Sequence, residues 1–226
     1  MGVPHRVHLA TFGCRVNQAD SDGLRAALLS RGLALVDEHH SADVVVINSC
    51  TVTHRSDTDL RKLVARVHRD NPSARVVVAG CAAQRDPGAA LAWPGTSAVV
   101  GHSDAFALAD VVLQLGDGAR PDVPWQRHAP LEALPREALP PVRPAATIHA
   151  RTRPFVKIQD GCNHFCSYCA IPYVRGFPVS RDPGDILSEV EQIAGSGCSE
   201  VVLTGVHLGL YGKYGSVSLA EIVRRI

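Results

Sequence analysis

Two unbroken runs of small or β-branched apolar residues, Val44-Val45-Val46-Ile47 and Val76-Val77-Val78-Ala79, constrain this fold more than anything else in the chain. A strand with one wet face alternates apolar and polar residues. A strand that is apolar at every position needs cover on both faces, as in a parallel sheet held between two layers of helices. The neighbouring segments supply those layers. Val7–Thr11 reads as a short strand, Asp20–Ser30 as a helix stopped by Gly32, and Asp57–Arg69 as a helix closed by Asn71-Pro72. Ala98–Val100 reads as a fourth strand, and Ser103-Asp104 caps a helix over Ala105–Leu115. The βαβα order predicts an α/β, doubly wound parallel sheet over residues 1–117.

The pattern then stops. Prolines at 121, 124, 130, 135, 140, 141, 144 and 154 mark residues 118–150 as an extended linker. A βα pattern resumes over residues 151–226. Phe155–Ile158 is a strand, Gly161–Gly176 a cysteine-rich loop, and Pro183–Ala194 a helix capped by Asp182. Glu200–Thr204 is the next strand, and a helix begins near Ser218 with Leu219, Ile222, Val223 and Ile226 at helical spacing. Two βα units cannot close a barrel, so the chain is expected to be C-terminally truncated.

Chemistry is signalled by seven cysteines, at 14, 50, 81, 162, 166, 169 and 198. Their number is odd and no secretion signal opens the chain, which argues against a disulfide framework and for a cytoplasmic protein using its thiols for metal or redox chemistry. The longest apolar run is far too short to span a bilayer, so no membrane partner is expected. Net charge is +1, so any nucleic-acid contact must come from a local patch rather than a global field.

Cys162, Cys166 and Cys169 follow C-x3-C-x2-C spacing on one loop. Three thiolates there can hold three irons of a [4Fe–4S] cube and leave the fourth open to a ligand. A zinc site is the alternative, but zinc prefers four ligands and His164 sits too near its neighbours to be a natural fourth. The run Lys157-Ile158-Gln159-Asp160-Gly161-Cys162-Asn163-His164-Phe165-Cys166-Ser167-Tyr168-Cys169 resembles the cluster loop of radical S-adenosylmethionine enzymes. The resemblance implies that S-adenosylmethionine binds the open iron, with Tyr168 beside its adenine and Thr204, Gly205 and His207 near its methionine end. For His207, an ordinary loop histidine is the competing reading.

Cys14, Cys50 and Cys81 each fall one to three residues after an expected parallel strand. The carboxyl ends of such strands converge on one crevice, so these thiols should meet there, although each taken singly reads as a small buried hydrophobe. Gly13 and Gly80 suit a chain that must turn sharply beside a bulky group. Thr11-Phe12-Gly13-Cys14-Arg15-Val16-Asn17-Gln18, Ile47-Asn48-Ser49-Cys50-Thr51-Val52-Thr53 and Ala79-Gly80-Cys81-Ala82-Ala83-Gln84 resemble three motifs of the radical S-adenosylmethionine methylthiotransferases. That resemblance implies a second [4Fe–4S] cluster on Cys14, Cys50 and Cys81. It also implies a Rossmann-like domain followed by the first two βα units of a partial (β/α) radical S-adenosylmethionine barrel. The partners it implies are a tRNA anticodon loop as substrate and a one-electron reductant.

Within that family, Gly13-Cys14-Arg15-Val16-Asn17 and the run Val202–Gly212 resemble the branch that methylthiolates N6-threonylcarbamoyladenosine. Sister branches act on isopentenyladenosine in tRNA or on a ribosomal-protein aspartate. A non-catalytic iron–sulfur carrier is the rival from another class, but it has no use for an open iron on each cluster. The 226 residues alone are expected to bind clusters yet turn over poorly. Cys198 reads as a packed small residue. Arg55, Arg61, Lys62, Arg66 and Arg69 read as a solvated basic helix face, and Arg175 as a residue approaching substrate or cofactor.

Overall fold

The computed structural model describes residues 5–51, 54–102, 104–118 and 152–226. The expected proline-rich linker at 118–150 therefore lies almost wholly outside the described residues. Strands β1 (Arg6–Thr11), β2 (Ala34–Leu35), β3 (Val44–Ser49), β4 (Arg75–Gly80) and β5 (Thr96–Val100) form one parallel sheet in the order β2-β1-β3-β4-β5. On β3, Val44 and Val46 enter one core and Val45 and Ile47 the other; on β4, Val77 and Ala79 divide from Val76 and Val78 in the same way. This is the period-two alternation of a strand covered on both sides. Each such valine or isoleucine contributes roughly 1.5–3 kcal/mol by leaving water.

Helices α1 (Arg15–Ser30) and α5 (Ala105–Gly116) line the first core through Leu24, Ala27 and Leu28, and through Leu108, Ala109 and Val112. The second is covered by α2 (His54–Asp70), α3 (Cys81–Arg85) and α4 (Pro87–Leu91). The expected cap of α5 is present: the Asp104 carboxylate accepts from the Phe106 and Ala107 amides at 2.6 and 3.3 Å.

The last segment forms a smaller sheet, β7 (Val179–Ser180)–β6 (Phe155–Asp160)–β8 (Val202–Gly205), with β6 and β8 parallel. Its core is Val156, Ile158, Ile186, Ile193, Tyr211 and Ile222, where helices α7 (Pro183–Gly195) and α8 (Leu219–Arg225) pack on the sheet. Cys198 packs against this core, as a small hydrophobe does. Helix α6 (Ile171–Arg175) lies between β6 and β7.

Four local expectations are corrected. Helix α1 begins at Arg15, five residues before Asp20, because Val16 and Asn17 are already buried on its inner face despite a polar-looking sequence. Strand β2 pairs in parallel with β1 where no strand was expected. The loop Gly161–Gly176 closes through a turn of helix, α6. And β7 adds a short antiparallel strand to the two expected βα units, paired through Gln159–Ser180 and Asp160–Val179. Strands of two or three residues leave too little pattern to read.

Candidate metal centres

Strands β1, β3 and β4 lie side by side, and their carboxyl ends carry Cys14, Cys50 and Cys81. Register aligns these ends: Thr11 pairs with Asn48, Asn48 with Ala79, and Ala79 with Val100. Two residues further along, the same row reads Gly13, Cys50, Cys81 and His102, with Cys14 one step beyond Gly13. Gly13 has φ +107°, and a Cβ built on it would stand 2.4 Å from the Cβ and 2.8 Å from the Sγ of Cys50. Only glycine lets the Cys14 turn come this close. Cys50 and Cys81 are buried and Cys14 is exposed.

Asn17 organises this edge, and it was not foreseen. Fully buried, it donates from Nδ2 to the carbonyls of Phe12 (3.0 Å) and Ser49 (2.7 Å), the residues leading into Cys14 and Cys50. Its Oδ1 stands 3.9 Å from the Cys81 Sγ and accepts from the Arg175 guanidinium. One amide thus fixes the surroundings of three thiols. Its position three residues after Cys14, inside the motif, was the available signal. Burial pushes the Cys81 thiol up to about 11, against the pull of nearby Arg175, so metal binding there must displace a proton.

His102 was also missed, and nothing in its local sequence marks it. Its Nε2 lies 3.2 Å from the Cys81 Sγ, while its backbone amide donates to the Gln84 side chain at 3.0 Å. Loss of solvation, reinforced by Arg175, lowers the imidazole to about 3 and keeps it neutral at physiological pH.

The second set, Cys162, Cys166 and Cys169, lies between β6 and α6, with Cys166 exposed and the other two partly exposed. The Cys162 amide donates to the Gly176 carbonyl (3.0 Å) and the Cys169 amide to that of Cys166 (2.9 Å), folding the loop back on itself. Among the described residues, Phe165 is the one non-glycine with positive φ, at 47°, and its ring packs edge-on against Tyr173 and Phe177. Gln159, buried at the end of β6, donates to the Asp160 and Gly161 carbonyls, both at 2.7 Å, and accepts from the His207 amide at 2.8 Å. The loop is thereby tied to the turn after β8.

Of the residues expected near S-adenosylmethionine, Tyr168 is 89% exposed on the loop, and His207 packs against His164 with ring centroids 4.7 Å apart. Thr204 is buried within β8, and Gly205 lies where an added Cβ would press on Leu208 and Gln159. Among the described residues, no three cysteine, histidine or carboxylate side chains enclose a single ion. Three thiolates on three corners of a cube, each bound to its own iron, need not converge in that way. The donor sets fit such a group: each is three thiols, one set on adjacent strand ends and one on a single loop.

Arg175 does not approach an open site. It is 7% exposed and donates to both Asp160 oxygens at 3.0 and 2.8 Å and to Asp20 at 3.0 Å. Lys157 also binds Asp20 and reaches Asp160 at 3.2 Å. Asp20 belongs to α1 and the other three to the last segment, so a buried charge network joins the halves between the two cysteine sets. Burial alone would raise Asp160, but Arg175 and Lys157 outweigh it and hold the carboxyl below the usual carboxylate range.

Residues 6–101 match the family model described as uncharacterized protein family UPF0004, and residues 156–225 match the radical SAM superfamily. The chain is 37% identical over 203 residues to the threonylcarbamoyladenosine tRNA methylthiotransferase MtaB of Bacillus subtilis, covering 90% of this chain and 44% of that protein. It is 33% identical to the tRNA-2-methylthio-N(6)-dimethylallyladenosine synthase of Pelobacter propionicus, covering 97% of this chain and 50% of that one. The chain thus spans about half the length of the relatives it matches. The radical S-adenosylmethionine methyltransferase TsrM of Kitasatospora setae, solved with cobalamin and a [4Fe–4S] cluster, superposes with a TM-score of 0.65 at 17% identity, over 99% of this chain and 52% of that one. At that identity the likeness is one of fold. No helix among the described residues is long and apolar enough to cross a membrane.

Proposed function

We propose, from the matches of residues 6–101 to UPF0004 and of residues 156–225 to the radical SAM superfamily, together with the likeness to tRNA methylthiotransferases, that the complete protein is a radical S-adenosylmethionine methylthiotransferase and methylthiolates N6-threonylcarbamoyladenosine beside the tRNA anticodon. The carrying observation is the pairing of two three-cysteine sets, one on adjacent parallel strand ends and one on a loop, across a shared buried charge network. Cys14, Cys50 and Cys81 would hold one [4Fe–4S] cluster and Cys162, Cys166 and Cys169 another. When bound at the second, S-adenosylmethionine supplies a carbon radical able to abstract hydrogen from unactivated carbon.

The protein's own residues position these groups. Gln159 fixes the base of the loop and the turn that carries His207, the two elements through which Tyr168 and His207 would meet the cofactor. Arg175, held by Asp160 beneath the loop, links it to the Asn17 corner of the first set. An anticodon loop offers unstacked bases that a protein can reach. The Pelobacter relative supports a second substrate reading, an isopentenyl-type adenosine. We place the protein in the cytoplasm with a one-electron reductant, and expect the 226 residues alone to turn over poorly.

Two experiments test this reading. Anaerobic reconstitution should give about eight irons per chain, falling to about four when Cys14, Cys50 and Cys81 are all changed to alanine. About four irons in both proteins would remove the first cluster and with it the methylthiotransferase reading. The complete protein, expressed in a host lacking its own methylthiotransferases, should add a methylthio group to threonylcarbamoyladenosine, read by nucleoside mass spectrometry. Modification of isopentenyladenosine alone would shift the substrate, and modification of a ribosomal protein alone would overturn the tRNA assignment.

A further inference from the structure

The carboxyl edge of the large sheet holds a fourth chemically able side chain. Ala79 and Val100 are register partners on β4 and β5, so Cys81 and His102, each two residues further on, occupy equivalent places on adjacent strands. The His102 backbone is held against the helix that Cys81 opens, through the Gln84 side chain. Its Nε2 stands 3.2 Å from the Cys81 Sγ.

We propose that His102 donates an Nε2–H hydrogen bond to the Cys81 thiolate and thereby sets the reduction potential of the cluster on Cys14, Cys50 and Cys81. The inference rests on the reading of those cysteines as cluster ligands. A thiolate bound to iron has no proton to give, so a hydrogen bond across this gap has the imidazole as donor. The iron that Cys81 holds has no place for His102, and ligation of the fourth iron is the outcome that the nitrogen coupling below separates. Each iron of a cube carries three sulfides and takes one further ligand, so a nitrogen beside Cys81 cannot share its iron. A hydrogen bond withdraws charge from the ligand sulfur, favours the reduced, more negative cluster and raises its potential.

The test uses the full chain with Cys162, Cys166 and Cys169 changed to alanine, which isolates the first cluster. Iron is counted first. A parent without iron overturns the ligand reading and this inference with it, before any His102 variant is made. With about four irons in place, His102→Leu is expected to keep them and to lower the reduced-to-oxidised ratio at a fixed potential about tenfold, a shift of about 59 mV for one electron. His102→Gln, which keeps an N–H donor, should recover most of that shift. Pulsed electron paramagnetic resonance of the reduced parent should show weak coupling to a histidine nitrogen, as through a hydrogen bond. An unchanged potential in His102→Leu, iron loss in both variants, or the strong coupling of a coordinated nitrogen would each overturn the proposal while leaving the cysteine assignment standing.

Discussion

At the scale of single residues, the first cysteine set depends on atoms that carry no metal chemistry. Gly13 lets the Cys14 turn lie against Cys50, and Asn17 ties the approaches to both cysteines with two hydrogen bonds. Gly13→Ala adds a methyl group where Cys50 already stands and forces a left-handed backbone on an L side chain. We expect it to cost about 1–3 kcal/mol, seen as a lower urea midpoint, and to reduce iron at the first set while sparing the second. An unchanged iron count and midpoint would show that the turn relaxes freely. The motif around Cys14 included Gly13 and Asn17, so part of this was legible; that Asn17 also faces Cys81 and Arg175 was not, because both lie far away in sequence.

At the scale of elements, the basic face of α2 illustrates how partners consume charge. The Arg61 guanidinium lies over the Trp93 ring at 5.5 Å, and Arg69 donates to Asp70 at 3.0 Å; the Arg55 side chain lies outside the described residues. Lys62 and Arg66 are solvent-exposed, as a solvated face requires. Reversing Arg61 and Lys62 to glutamate should leave tRNA affinity within about twofold and the slope of log K against log salt unchanged. A tenfold loss in a binding titration with the complete protein would instead make this face part of the RNA footprint. The strands that position the cysteines were readable from their apolar runs, whereas α6 and β7 escaped detection because elements this short have no period of their own.

At the scale of the whole molecule, the two halves are joined by Asp20, Lys157, Asp160 and Arg175. Removing one member of a buried ion pair strands its partner, typically at a cost of about 3–5 kcal/mol. Arg175→Ala should therefore destabilise the protein by an amount of that order in urea unfolding. The network also gives a pH dependence. Burial would raise Asp20, but Lys157 and Arg175 outweigh it and its carboxyl lies lower in the folded protein than in the unfolded chain. Its contribution is present above the unfolded value, roughly pH 4, and is lost as pH falls through the lower folded value. Urea midpoints measured from pH 6 to pH 3 should fall more steeply for the native protein than for Asp20→Asn, and parallel curves would refute the role given to Asp20.

The sequence by itself determined the α/β class, four of the five strands of the large sheet and the spacing of the second cysteine set. Those signals are local: a strand covered on both faces must be apolar throughout, and ligands on one loop keep their spacing wherever the loop goes. Tertiary structure decided that His102 falls in register with Cys81, that Arg175 faces inward, and that Asp20 meets Lys157 across more than a hundred residues of chain. These depend on strand register and on the packing of one half against the other. The free energy behind each is shared among residues distant in sequence, so no local window contains it.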